Sequence, residues 1–152
     1  MTEDYRALME RAGSILARRA HSRHELVQKL GGPEELRDAV LERLEGLGLV
    51  DDEAFARAWI EERSSKKGRE ALLHELEAKG VVRETAEAVW EQIAPDEAAR
   101  AIEIASKHLR KVSRKPLAVQ AAAIHGLLVR RGFSAEVAEE ATRAVLPPEG
   151  WD

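Results

Sequence analysis

The stretch 72–93, LLHELEAKGVVRETAEAVWEQI, decides how the whole chain is read. Its apolar residues recur every three or four positions on both sides of a glycine. Leu72, Leu73 and Leu76 precede Gly80, and Ala86, Val89, Trp90 and Ile93 follow it. That is the pattern of a helix, a glycine stop and a second helix. Shifted by 52 residues, the stretch overlays on 124–145, IHGLLVRRGFSAEVAEEATRAV. Leu72 then falls on Ile124, Leu76 on Leu128, Gly80 on Gly132 and Val81 on Phe133, with Ala86 on Ala138, Val89 on Ala141 and Ile93 on Val145. Toward the N-terminus, Leu26 and Leu30 precede Leu72 and Leu76 by 46 residues, while Val40 and Leu44 precede Val89 and Ile93 by 49. The first copy thus lacks three residues around Gly31-Gly32. Constant offsets with paired glycines predict a three-helix module of about 45–50 residues, repeated along the chain.

Working outward, the remaining spacing is helical as well. Tyr5, Leu8, Met9, Ala12, Ile15 and Leu16 form one stripe. Ser22 stands three residues before Glu25, the spacing of a reciprocal capping box. Pro33 suits a first helical position, and Leu36, Val40, Leu41 and Leu44 follow it. Asp51 or Asp52 caps a helix carrying Phe55, Ala56, Trp59 and Ile60, with Ser64 to Gly68 as a polar break. Pro95-Asp96 opens a long helix whose stripe reads Ile102, Ala105 and Leu109; Pro116 opens another, ended by Gly132, and Ser134 caps the last. Nine helices and no strand are expected. The modules run 1–49, 50–94 and 95–147, with a C-terminal tail at 148–152 and an ambiguous Trp151.

Composition supports an all-α reading. Of 152 residues 44% are apolar, but 25 of them are alanine and only 4% of the chain is aromatic, which suits several thin cores better than one sandwich or barrel. There is no cysteine, which excludes disulfides and thiolate chemistry. No apolar run approaches the roughly 18 residues of a membrane span, and Thr2-Glu3-Asp4 is unlike a secretion signal, so a cytoplasmic protein without membrane contact is expected. Without a heptad seam, a monomer is the expected state. The net charge of −4 argues mildly against a bare DNA binder. That charge is uneven: 51–94 carries 11 acids against 7 bases, whereas 95–152 carries 8 against 9.

No catalytic constellation emerges. Ser22 with Glu25 and Asp51-Asp52 read as caps rather than as nucleophile, base or metal ligands. His21 and His24 have no third ligand at a suitable spacing. Gly31-Gly32 and Gly46-x-Gly48 lack the strand and Lys-Ser/Thr of a phosphate loop. No enzyme, cofactor or metal is expected. Trp59 and Trp90 lie on core stripes.

The string Ile15-Leu16-Ala17-Arg18-Arg19-Ala20-His21-Ser22-Arg23-His24-Glu25-Leu26, followed by Lys29-Leu30, resembles the first repeat of the RecX family, whose members regulate the RecA recombinase. Leu47-Gly48-Leu49-Val50-Asp51-Asp52-Glu53-Ala54-Phe55-Ala56 is similar to the family's Gly-hydrophobic-hydrophobic-Asp-Asp-x-x-Phe-Ala signature. Lys67-Gly68, Leu72, Glu75-Leu76 and Lys79-Gly80-Val81 resemble the second repeat, and Arg130-Arg131-Gly132-Phe133-Ser134 the third. The resemblance implies an elongated, curved array of three-helix repeats lying in the groove of the RecA–single-stranded-DNA filament, depressing ATP hydrolysis, strand exchange and co-protease activity.

Basic residues are the candidate contact surface. Arg18, Arg19 and Arg23 straddle the first inter-helix turn; Arg63, Lys66, Lys67 and Arg69 straddle its counterpart in the second module; Lys107, Arg110, Lys111, Arg114 and Lys115 occupy the third. Arg130 and Arg131 belong to the third-repeat motif. These cations either meet acidic surfaces and phosphates of a partner or cap helix C-termini through the dipole. The alternative function is a free-standing helical-repeat protein that binds nucleic acid directly; a weak DNA contact is compatible with both.

Overall fold

A computed structural model describes residues 2–148. Among them are nine α-helices and no strand: α1 (Glu3–Arg18), α2 (Arg23–Leu30), α3 (Glu34–Gly46), α4 (Asp52–Arg63), α5 (Arg69–Ala78), α6 (Arg83–Ile93), α7 (Glu97–Val112), α8 (Leu117–Arg130) and α9 (Ala135–Val145). Of the tail expected at 148–152, residues 149–152, with Trp151, lie outside the described residues. The chain divides into two compact units. One takes the residues up to Trp59 together with Glu75–Gln92; the other takes Ile60–His74 and the residues from Ile93 onward.

Local chemistry sets the helix starts. The Thr2 hydroxyl accepts from the Tyr5 N–H at 3.1 Å. The capping box at α2 is complete: Ser22 Oγ accepts from Glu25 N–H, and Glu25 Oε1 accepts from Ser22 N–H, each at 3.1 Å. Asp51 is the side chain that caps α4, accepting from Ala54 N–H at 3.1 Å. Asp52 instead accepts from the Arg23 N–H at 2.9 Å. Asp96 and Ser134 cap α7 and α9. Pro33 sits one position earlier than its spacing predicts, at the cap of α3 with extended backbone; from there its carbonyl accepts from Arg37 N–H at 2.9 Å.

Two hydrophobic clusters anchor the ends of the chain. Leu8 and Ala12 of α1, Leu26 and Leu30 of α2, and Val40, Leu41 and Leu44 of α3 bury one another, closed by Val50. In the other unit, Ala101, Ile104 and Ala105 of α7 pack with Ala121, Ile124 and Leu128 of α8 and Ala138 and Ala141 of α9, sealed by Phe133 and Leu146. The alanines let these helices approach closely, which is how a chain poor in bulky residues fills a core. The stripe expected on α7 needs a correction: Ile102 is on the exposed face, and Ala101, Ile104 and Ala105 point inward. Ala105 lies on the inward face as expected, and its buried neighbours there are Ala101 and Ile104 in place of Ile102.

The paired glycines of the overlay do the same work in both units. Gly80 (φ +84°) follows α5, and Gly132 (φ +95°) follows α8. Each lets the next amide turn back onto the helix, Val81 to the Leu76 carbonyl at 3.0 Å and Phe133 to the Leu128 carbonyl at 3.1 Å. Each also receives another helix start. Ser22 Oγ–H donates to the Lys79 carbonyl at 2.5 Å, beside Gly80. Gly68 N–H donates to the Arg131 carbonyl at 2.8 Å, beside Gly132. Ser22 precedes Gly68 by 46 residues and Lys79 precedes Arg131 by 52, the offsets of the sequence overlay. The glycines recur because a close backbone approach recurs.

Candidate functional site

The cations expected to act together are sorted by the structure into two kinds. Several are tied to acids of their own unit. Arg19 makes a two-pronged pair with Glu25, at 3.2 and 3.1 Å. Arg23 Nε meets Glu45 at 2.7 Å, Arg63 meets Glu62 at 3.1 Å and Arg69 meets Glu70 at 2.8 Å. Lys67 contributes its backbone: its carbonyl accepts from Arg100 at 2.7 Å, and the Ser64 carbonyl accepts from the same nitrogen. Arg100 also lies 5.5 Å from the centre of the Phe133 ring. This clasp holds the 64–67 turn, and with it Lys66, against α7. Arg110, Arg114, Lys115 and Arg130 are exposed, and Lys115 lends its carbonyl to the Gln120 side chain at 2.8 Å.

Arg18, Lys66, Lys107, Lys111 and Arg131 line two grooves, and Arg19, though paired to Glu25, lines the first beside Arg18. The first, of about 530 Å³, runs along α1 and the start of α2 and is lined by Arg11, Ser14, Ile15, Arg18, Arg19, His21 and Lys29. Arg11, Ser14, Ile15 and Arg18 share one face because they recur at helical spacing. The second, of about 370 Å³, is lined by Ser65, Lys66, Ile104, Lys107, His108, Lys111, Leu127 and Arg131. Arg11, Ser14, Lys29 and His108 were not among the residues expected from sequence. The signal available was the 11-14-18 spacing on α1; Lys29 has no sequence cue that links it to that face.

Cations dominate the electrostatics within the grooves, with Glu25 opposing them at His21. Burial lowers the His108 pKa, and the charges of Lys111, Arg131 and Arg130 lower it further. His21 is buried, and burial lowers its pKa; the bond to the Arg19 carbonyl opposes this, and the Arg19 and Lys29 charges add to it. Its ring nitrogens lie 2.9 Å from the Arg19 carbonyl and 2.9 Å from Lys29 Nζ. A neutral ring that donates from Nδ1 to the carbonyl and accepts the ammonium at Nε2 satisfies both contacts. Among the described residues no group of three His, Asp or Glu side chains is arranged to hold a metal. None of the helices is long and apolar enough to cross a membrane.

Glu25 organises the wall of the first groove. Burial alone would raise its pKa, but hydrogen bonds from the Arg19 guanidinium, the Ser22 N–H and the Lys79 ammonium outweigh that and hold it at about 2. A carboxyl whose folded pKa lies below its unfolded value contributes stability above about pH 4.5 and loses it as the pH falls toward 2. Glu25→Gln is therefore expected to cost roughly 2 kcal/mol at pH 7. In urea titrations across pH, the gap from the parent should narrow below pH 4.5 and close near pH 2. A gap independent of pH would contradict this account.

Helices assembled as three-helix clusters place the chain in the all-α helical-repeat class. The model of the RecX second three-helix domain matches residues 51–89. Regulatory protein RecX of Thermobifida fusca (strain YX) is 35% identical over 142 residues, covering 90% of this chain and 77% of that protein. Regulatory protein RecX of Mycobacterium avium (strain 104) is 36% identical over 154 residues, covering 97% and 87%. The crystal structure of RecX from Lactobacillus salivarius superposes with a TM-score of 0.85 over 95% of this chain and 98% of that one, at 19% identity. The chain belongs to the RecX family of regulatory proteins.

Proposed function

We propose that this protein is a non-enzymatic regulator that binds in the groove of the RecA–single-stranded-DNA filament and restrains its ATPase, recombinase and co-protease activities. The observation that carries this reading is the match to regulatory RecX proteins over nine tenths of the chain. Three modules, 1–49, 50–94 and 95–147, would act in series, and stacked modules suit a long contact surface along a filament. The contacts come from the basic residues at and near the inter-helix turns, Arg18, Lys66, Lys107, Arg110, Lys111, Arg114, Lys115, Arg130 and Arg131 foremost, because Arg19, Arg23, Arg63 and Arg69 face acids of their own unit more closely than Lys107 faces Glu103.

The test is ATP hydrolysis by the recombinase of the same organism on single-stranded DNA, with co-sedimentation establishing saturation of the filament. Hydrolysis is expected to fall by about fivefold or more. A saturated filament that hydrolyses ATP at its full rate would refute the proposal. The alternative, a free-standing nucleic-acid-binding protein, has support in the cationic grooves, and it predicts affinity for DNA without any effect on the recombinase.

A further inference from the structure

We propose that the two grooves are equivalent sites for the phosphodiester backbone of single-stranded nucleic acid, one formed around Arg11, Arg18 and Lys29 and the other around Lys107, Lys111 and Arg131. This deepens the reading of the basic residues as a contact surface and rests on it, but it does not depend on the recombinase.

Equivalence follows from position. Arg11, Ser14, Ile15 and Arg18 of α1 precede Ile104, Lys107, His108 and Lys111 of α7 by 93 residues, all eight being groove residues. The buried Leu8 and Ala12 precede the buried Ala101 and Ala105 by the same 93. On the facing helix, Lys29 precedes Leu127 by 98, the offset that carries Leu26 onto Ile124 and Leu30 onto Leu128. The two grooves therefore occupy the same place in their three-helix clusters, between first and second helices.

The charge is kept while its source changes. Arg11 and Lys29 stand where the other groove has Ile104 and Leu127, and Ser14 stands where it has Lys107. Only the pair Arg18 and Lys111 coincides. Helix-dipole capping explains a cation in a last turn. It does not explain Arg11 and Lys107, which lie further in, or Lys66, which the Arg100 clasp brings from a different segment. Neither lining includes a carboxylate, and Glu25, behind the first groove, is already held by Arg19 and Lys79. Lys107 does touch Glu103 at 3.7 Å, but both side chains are about 70% exposed, and such a pair yields easily to a phosphate.

A site that repeats suits a ligand whose charge repeats. Guanidinium and ammonium groups with a serine hydroxyl match phosphate oxygens, and the partly buried Ile15 and Leu127 offer apolar surface to the sugar. The middle copy of this position is different. There Trp59 is the counterpart of Arg11 and Ile104, Glu75 the counterpart of Lys29 and Leu127, and the Trp59 indole N–H donates to Glu75 at 2.9 Å. An indole and a carboxylate close that copy to phosphate.

Binding of a fluorescein-labelled oligo(dT) of about 30 nucleotides, followed by anisotropy without recombinase, tests the proposal. The full chain is expected to bind at low salt. Arg11→Gln with Arg18→Gln, or Lys107→Gln with Lys111→Gln, should each weaken binding about tenfold and flatten the slope of log affinity against log salt by about 1.4. Arg6→Gln with Arg43→Gln removes the same charge from exposed positions outside both grooves and should change affinity less than about twofold. Thermal melts of each variant, unchanged from the parent, show that the fold is kept. Equal weakening by all three pairs, or no binding by the parent at low salt, overturns the proposal. So does displacement of the labelled strand by poly-glutamate as efficiently as by unlabelled oligo(dT), which would make the ligand a carboxylate. A recombinase that stays inhibited by both groove pairs would leave the regulatory reading standing while oligo(dT) binding decides this one.

Discussion

Gly80→Ala is expected to destabilise the protein by about 3 to 4 kcal/mol, lowering its melting temperature by roughly 10 °C. Two effects add. The backbone at Gly80 has φ +84°, a conformation that costs an L residue about 1–2 kcal/mol. An added Cβ would also lie 2.1 Å from His24 Cβ and 2.3 Å from His24 Cγ. Because His24 Cβ is fixed to the backbone, rotating the side chain gives no relief, and the start of α2 must move. That movement breaks the Ser22 bond to the Lys79 carbonyl and the 3.1 Å pair of Lys79 with Glu25. Gly48→Ala is the control: φ is +74° there, but nothing lies within 4 Å of the new Cβ, so only the strain of about 1 kcal/mol remains. Circular-dichroism melts that give the two variants equal losses would refute the packing account.

Gly132→Ala should be as severe, at about 3 to 4 kcal/mol, but in the other unit. Its φ is +95°, and its Cβ would lie 2.3 Å from Ala71 Cβ and 2.5 Å from Ala71 N. Neither atom can swing aside, so the first turn of α5 must withdraw and the Gly68 N–H bond to the Arg131 carbonyl is lost. Amide hydrogen exchange distinguishes the two variants. Gly132→Ala should speed exchange in α8, α9 and the start of α5 while α1–α3 keep their protection; Gly80→Ala should do the reverse. Uniform loss of protection in both variants would mean that the two units unfold as one.

The helices were legible because their determinants are local. Ser22 with Glu25, Asp96 and Ser134 announce helix starts within four residues, and Gly48, Gly80 and Gly132 announce stops. The RecX resemblance, read from residues 15–30 and 47–56, agrees with the relatives that cover most of the chain. The site was only half legible. Sequence proximity grouped Arg18, Arg19 and Arg23, yet only Arg18 and Arg19 line the first groove, Arg19 with its charge paired to Glu25, and Arg23 turns to Glu45. Trp59 was expected inside with Phe55 and Ile60. It stacks on Phe55 with ring centres 5.8 Å apart but remains half-exposed, its indole N–H engaged by Glu75.

By itself, then, the order of residues determined the helices, the caps at Ser22 and Ser134, the glycine stops and the rhythm of the repeat, because a 3–4 spacing and a capping hydroxyl act over one or two turns. Tertiary structure alone decided which cations are neutralised and which share a groove. Lys29 joins Arg11 and Arg18, and Lys66 joins Lys107, Lys111 and Arg131, through the packing of helices whose charged faces the sequence lists far apart. Charge pairing depends on distance in space, and that distance is set by where the buried leucines and alanines put each helix.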